Sequence, residues 1–136
     1  MTRGLIALIF GAVLVIAAPN VRAAELLMFE EKWCAWCERW NEEIGPIYPK
    51  TTEGKRAPLR RVDIHGEFPE GISLKTRPHF TPTFILIQDG RELGRIEGYP
   101  GEDFFWGLLA RLMDKLPAPV DNALETDSKT DDAPDT

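Results

Sequence analysis

Cys34 and Cys37 are the only cysteines in this 136-residue chain, and Ala35 and Trp36 alone separate them. At the start of a helix, such a pair can close and open a disulfide within one turn, which is the chemistry of dithiol–disulfide exchange. With no third cysteine in the sequence, any other covalent partner comes from another molecule. Two simpler uses of the pair compete with this one. A structural staple closing so short a loop would contribute little stability. A zinc or copper site would need further ligands, and the two histidines, His65 and His79, lack paired metal spacing, so no metal is expected.

The elements around the pair are arranged to position it. Leu26-Leu27-Met28-Phe29 is a continuous apolar run, as expected of a strand buried on both faces of a mixed sheet, and it leads directly to the cysteines. From Ala35 the sequence is helix-compatible through Glu43, with Cys37, Trp40 and Ile44 spaced to share one face until Gly45-Pro46 ends or kinks it. Cys34 therefore falls at a helix N-terminus. Leu59 to Ile64 is a second strand candidate, and the stretch after it, with Gly66, Pro69, Gly71 and Pro78, is too broken for a long helix. Thr83 to Ile87 and Glu92 to Glu97 flank Asp89-Gly90 and form an antiparallel hairpin. A closing helix over 102–116 places Phe105, Leu108, Leu109, Leu112 and Leu116 along one stripe.

Both ends of the chain read as lying outside this unit. Residues 1–23 carry Arg3, an apolar run from Leu5 to Ala18 and small residues around Val21-Arg22-Ala23, the pattern of a secretory signal cleaved to leave Ala24 first. The run is shorter than the roughly 18 to 20 apolar residues a membrane span needs. Export, to the periplasm in a bacterium, puts the pair in an oxidising compartment, so a working dithiol implies a reductant. Residues 117–136 hold three prolines, six acids and one lysine with no aromatic residue, the composition of a disordered acidic tail. The net charge of −6 leaves the core from 24 to 116 near −3 once the basic signal and the acidic tail are set aside. That balance favours neither nucleic acid nor an anionic membrane surface as partner.

Taken together, Cys-X-X-Cys after a buried strand, Thr81-Pro82-Thr83 before a hairpin, and a closing helix resemble the thioredoxin superfamily over about residues 25–116. Asp89-Gly90 and Gly98 follow Pro82 at the separations the family shows. The resemblance implies an α/β, thioredoxin-like fold in its minimal, glutaredoxin-like version, with a central mixed sheet of about four strands flanked by helices. It implies a cis peptide bond before Pro82, an isomer that proline makes accessible, lying beside the disulfide and turning the Thr81 backbone towards an extended substrate. Amides of the first helical turn should lower the pKa of Cys34 and make it the attacking thiolate, with Cys37 as the resolving thiol. The dithiol is itself the redox group, so no cofactor is expected. Trp33 and Trp36 are expected to contact the partner, with Trp40 in the core and His79 near the rim of the site.

Three departures from the family pattern stand out. The strand before the cysteines is the first of the core; Met28 occupies the position of the buried acid that many thioredoxins carry six residues before the first cysteine; and Pro46 lies about a turn farther from the cysteines than usual, suggesting a lengthened first helix. Proton transfer to and from Cys37 then falls to water or another group, for which Glu30 and Glu31 are candidates by proximity in sequence. More narrowly, Glu42 to Thr51, Arg60 to His65 and Gly94 to Trp106 resemble the SoxS-type periplasmic thioredoxins of bacterial sulfur oxidation. That family is linked to keeping the swinging-arm cysteine of a sulfur-carrier protein reduced and active. The resemblance implies a monomeric reductase of disulfides or cysteine adducts on a protein partner, resupplied by a membrane protein that carries thiol equivalents. General disulfide repair or the reduction of apocytochrome thiols would use the same chemistry on other clients, and a binding module with a purely structural disulfide would use none of it.

Overall fold

The structure is a computed structural model and describes residues 23–118. The expected export signal and the expected acidic tail lie outside these residues, apart from positions 23, 117 and 118. Four strands, β1 (Glu25–Glu30), β2 (Leu59–Asp63), β3 (Thr83–Gln88) and β4 (Arg91–Glu97), form one sheet in the order β2-β1-β3-β4. β1 and β2 run parallel, and the other two pairings are antiparallel. Among the described residues three α-helices accompany the sheet: α1 (Ala35–Glu43), α2 (Thr52–Arg56) and α3 (Glu102–Met113).

β1 is apolar without alternation because the sheet is covered on both sides. Leu26 and Met28 face a cluster with Cys37 and Trp40 of α1, Ile44 at its C-terminal end, Tyr48 from the connection to β2, Phe84 of β3 and Phe105 of α3. Leu27 and Phe29 face the other way, with Val62, Ile85 and Ile87. The cover on that second face is the irregular connection 64–80, through Ile64, Phe68, Ile72 and Leu74. The connection is fastened to β4 by a bridge between Ser73 and Arg91 and by Glu92, which accepts from the Lys75 amide at 2.9 Å.

Asp89 and Gly90 both have positive φ, 52° and 75°, the conformation of a two-residue turn whose twist matches its strands. A register shift between Leu86 and Ile87 bends the hairpin, and Gly94 lies under α3. A Cβ at Gly94 would sit 2.8 Å from Leu112 Cδ1, so glycine is what allows helix and strand to approach.

Two features depart from what the sequence suggests. The first helix is not lengthened: α1 ends at Glu43, and Pro46 lies beyond it in a turn. Between α1 and β2 the chain also forms a 3-10 turn at Tyr48–Lys50 and the short helix α2, both unanticipated. The signal for α2 is visible in retrospect, since Thr51 caps it by accepting the Gly54 amide at 3.0 Å. A five-residue helix carries too few apolar positions for periodicity to reveal it.

Candidate active site

The site forms where β1 ends and β3 begins. Phe29 pairs with Thr83 across antiparallel strands, so the chain leaving β1 towards the cysteines and the chain arriving through Thr81-Pro82 meet at one end of the sheet. Cys34 and Cys37 form a disulfide with their Cα atoms 5.2 Å apart. Cys34 is the N-cap of α1 in an extended conformation, and its Sγ accepts the Cys37 amide at 3.1 Å. This donor, with the helix dipole behind it, is placed to stabilise negative charge on that sulfur. Cys34 is half-buried, whereas Cys37 is 3% exposed and packs in the core cluster. An incoming group therefore reaches the outer sulfur first.

Trp33 has φ of 66°, a left-handed conformation that bulky residues seldom adopt, and its ring is 93% exposed. Trp36 is half-exposed, and the Arg39 guanidinium lies 5.7 Å from its ring centroid. Arg39 is itself held by Glu43 at 2.9 Å. The Glu43 carboxyl lies below the usual carboxylate range, first because the Tyr99 hydroxyl donates to it and then because Arg39 does. Trp36 is thereby braced from behind. Trp40, by contrast, is fully buried between Phe84 and Phe105, with ring centroids at 5.2 and 5.8 Å.

The Thr81–Pro82 peptide bond is cis. The Pro82 carbonyl accepts the Gly98 amide at 2.7 Å, and the Thr83 hydroxyl donates to the Phe80 carbonyl at 2.7 Å, so the loop is tied to β4 and closed on itself. Phe80, at 65% exposed, stands beside this loop and adds a third exposed ring to those of Trp33 and Trp36. No motif or spacing in the sequence singles out Phe80, whose exposure is set by the path of the connection into β3. His79 is exposed and lines a surface depression with Phe68, Arg77 and Pro78 on the far face of the sheet.

Glu30 and Glu31, close in sequence to the cysteines, have other commitments. Glu30 accepts from Arg61 at 2.7 Å. Arg61 also approaches Met28 Sδ at 3.7 Å and stands 5.9 Å from the Trp40 ring centroid. Met28, at the position of the usual buried acid, is fully buried. Glu31 accepts from the Thr81 hydroxyl on one oxygen and is 2.8 Å from His65 Nε2 on the other. The Thr81 bond first, and His65 second, hold the Glu31 carboxyl below its ordinary value.

A dithiol pair capping a helix, beside a cis-proline loop at the end of a four-stranded mixed sheet, defines a thioredoxin-like protein. None of the family models compared matches the sequence, and no curated protein matches it. Solved structures do. The periplasmic thioredoxin SoxS from Paracoccus pantotrophus, in its reduced form, is 50% identical, with a TM-score of 0.66 and coverage of 68% of this chain and 97% of its own. The germline-specific thioredoxin Deadhead from Drosophila melanogaster, at 21% identity and a TM-score of 0.50 over 65% of this chain and 80% of its own, shares the fold. The chain belongs to the thioredoxin family.

Proposed function

We propose that this protein is a periplasmic thiol–disulfide oxidoreductase that reduces disulfides or cysteine adducts on a protein partner. The observation that carries this reading is the asymmetry of the pair. Cys34 is accessible and holds the Cys37 amide, whereas Cys37 is buried. The Cys34 thiolate attacks one sulfur of the client's mixed disulfide; the other sulfur leaves as a thiolate, and the attacked one stays bonded to Cys34. Cys37 then gives up its proton and attacks Cys34 Sγ, releasing that second sulfur as a thiolate. Two electrons pass to the mixed disulfide, which is released as the client thiol and the thiol of its former adduct, and the protein is left as the Cys34–Cys37 disulfide. A membrane protein delivering thiol equivalents restores the dithiol.

Trp33, Trp36, Phe80 and the Thr81-Pro82 backbone form the face that receives the client. Proton exchange at Cys37 goes through water or a carboxylate near β1. Residues 24–116 are the working unit, released from an export signal cleaved near Ala23 and followed by a solvated acidic tail. The likeness to a periplasmic thioredoxin of the SoxS type supports both the compartment and a client of the sulfur-carrier kind, whose swinging-arm cysteine would be kept reduced.

Isolating covalent complexes of tagged Cys37→Ser from the native host, without reductant, tests this. A sulfur-carrier protein bound through Cys34 is the expected catch. A broad set of exported proteins would assign a general disulfide reductase instead, and the absence of any thiol-sensitive adduct would favour a structural disulfide.

A further inference from the structure

The loop that presents Thr81 to a client is held from its side-chain end by groups on two other loops. Thr81 Oγ1 donates to Glu31 Oε1. Glu31 Oε2 lies 2.8 Å from His65 Nε2, and the His65 amide donates to Asp63 Oδ1 at 2.9 Å. Glu31 is three residues before Cys34, on the segment that carries the attacking sulfur, and Asp63 ends β2. One carboxylate therefore joins the cysteine loop, the cis-proline loop and the end of β2. The neighbouring acid does not compete for this role, since Arg61 occupies Glu30. Lys32, Arg61 and Asp63 are the other charged groups of the surface depression that Glu30 and Glu31 line.

From this geometry we infer that Glu31, steadied by His65, is a positioning residue: through the Thr81 hydroxyl it fixes the spacing between the substrate-pairing backbone and Cys34. The inference rests on the proposed reductase activity and gives Glu31 a different part from proton transfer. A client segment pairs along Thr81 and reaches Cys34 together only if the two loops keep one separation, so loosening the Thr81 loop weakens productive docking of an extended client. Glu31 spans that gap directly, with one oxygen for Thr81 and the other for His65.

The test uses the purified mature protein with a ten-residue extended peptide bearing a cysteine–glutathione mixed disulfide, and oxidised glutathione alone as a probe too small to pair with the loop. For Glu31→Ala we expect KM for the peptide to rise about tenfold, the scale of a lost charge-assisted hydrogen bond, with kcat changing far less. Thr81→Val should show the same defect, Thr81→Ser should restore most of the affinity, and the double variant Glu31→Ala, Thr81→Val should be no worse than either single one. His65→Ala should give a smaller rise in KM. The inference is overturned if Glu31→Ala lowers kcat equally for the peptide and for oxidised glutathione and shifts the pH profile of Cys37 alkylation, because that is the signature of a proton-transfer group. Additive effects of the Glu31 and Thr81 variants would overturn it as well. Failure of the wild-type protein to reduce the peptide at all would instead remove the reductase reading beneath it.

Discussion

Trp33 shows most clearly how single residues are used at the site. Its left-handed backbone costs stability, yet its ring is almost wholly in water and contributes nothing to the core. In the proposed cycle the turn aims Cys34 at the head of α1 and leaves the ring free to meet a client. Trp33→Gly should therefore raise stability by about 1 kcal/mol, read from the urea midpoint, while weakening client capture. A loss of stability would mean that the ring packs against the folded protein in solution. At this scale the sequence was informative about chemistry and poor about contacts. The spacing of Cys34 and Cys37 points to the disulfide and Thr81-Pro82 to the cis bond that the fold contains, and Trp40 and Trp36 could be sorted into core and surface. Nothing in the sequence joins Glu31 to Thr81, because fifty residues separate them and only the pairing of β1 with β3 brings them together.

Among the elements, the strands were legible and the short helices were not. β1 and β3 announce themselves as unbroken apolar runs because both of their faces are buried, and Asp89-Gly90 fixes the hairpin through its positive φ values. α2 is held by particular contacts and not by a repeating pattern. Tyr48 is buried with its hydroxyl donating to the Ala57 carbonyl at 2.7 Å, and Gly54 packs against the Tyr48 backbone. A Cβ on Gly54 would lie 1.9 Å from the Tyr48 carbonyl oxygen, a clash with backbone that no side-chain rotation relieves. Gly54→Ala should cost roughly 3 kcal/mol in urea unfolding, the upper end for overpacking. An effect below about 0.5 kcal/mol would show that α2 is not seated against the 3-10 turn as described.

For the molecule as a whole, the two faces of the sheet are protected very differently. α1 and α3 cover one face with a continuous aromatic core, whereas the irregular connection 64–80 covers the other and depends on a buried ion pair for its seat. Glu92 is nearly buried, and both of its oxygens accept from Arg95 at 2.7 Å; Arg95 also donates to the Thr76 carbonyl at 2.8 Å. Burial opposes the charge on Glu92, but the Arg95 guanidinium and the Lys75 amide outweigh it, so the carboxyl sits below the ordinary value of 4.5. A lowered folded-state pKa contributes stability that is present above the ordinary value and is lost as pH falls through the folded one. Stability should accordingly drop on acidification below about pH 4.5, first where the connection covers Leu27 and Phe29. Glu92→Gln should flatten that acid limb while costing roughly 1 to 3 kcal/mol at neutral pH, because Arg95 loses its counter-charge. An unchanged acid limb in chemical denaturation would assign the acid sensitivity to other carboxylates. Why this face is capped by a loop was not legible from sequence, since the four apolar residues that do the capping are scattered among glycines and prolines.

In the proposed cycle Cys34 attacks and Cys37 resolves, with reducing equivalents passing to a protein client. This order of events can be followed in a single-turnover reaction between the pre-reduced protein and a client protein carrying one cysteine mixed disulfide, read by mass spectrometry of quenched samples. One client thiol should be released for each Cys34–Cys37 disulfide formed, with a stable adduct on Cys34 in Cys37→Ser and no reaction in Cys34→Ser. Normal client reduction by Cys34→Ser, or an adduct found on Cys37 in the wild-type protein, would contradict it.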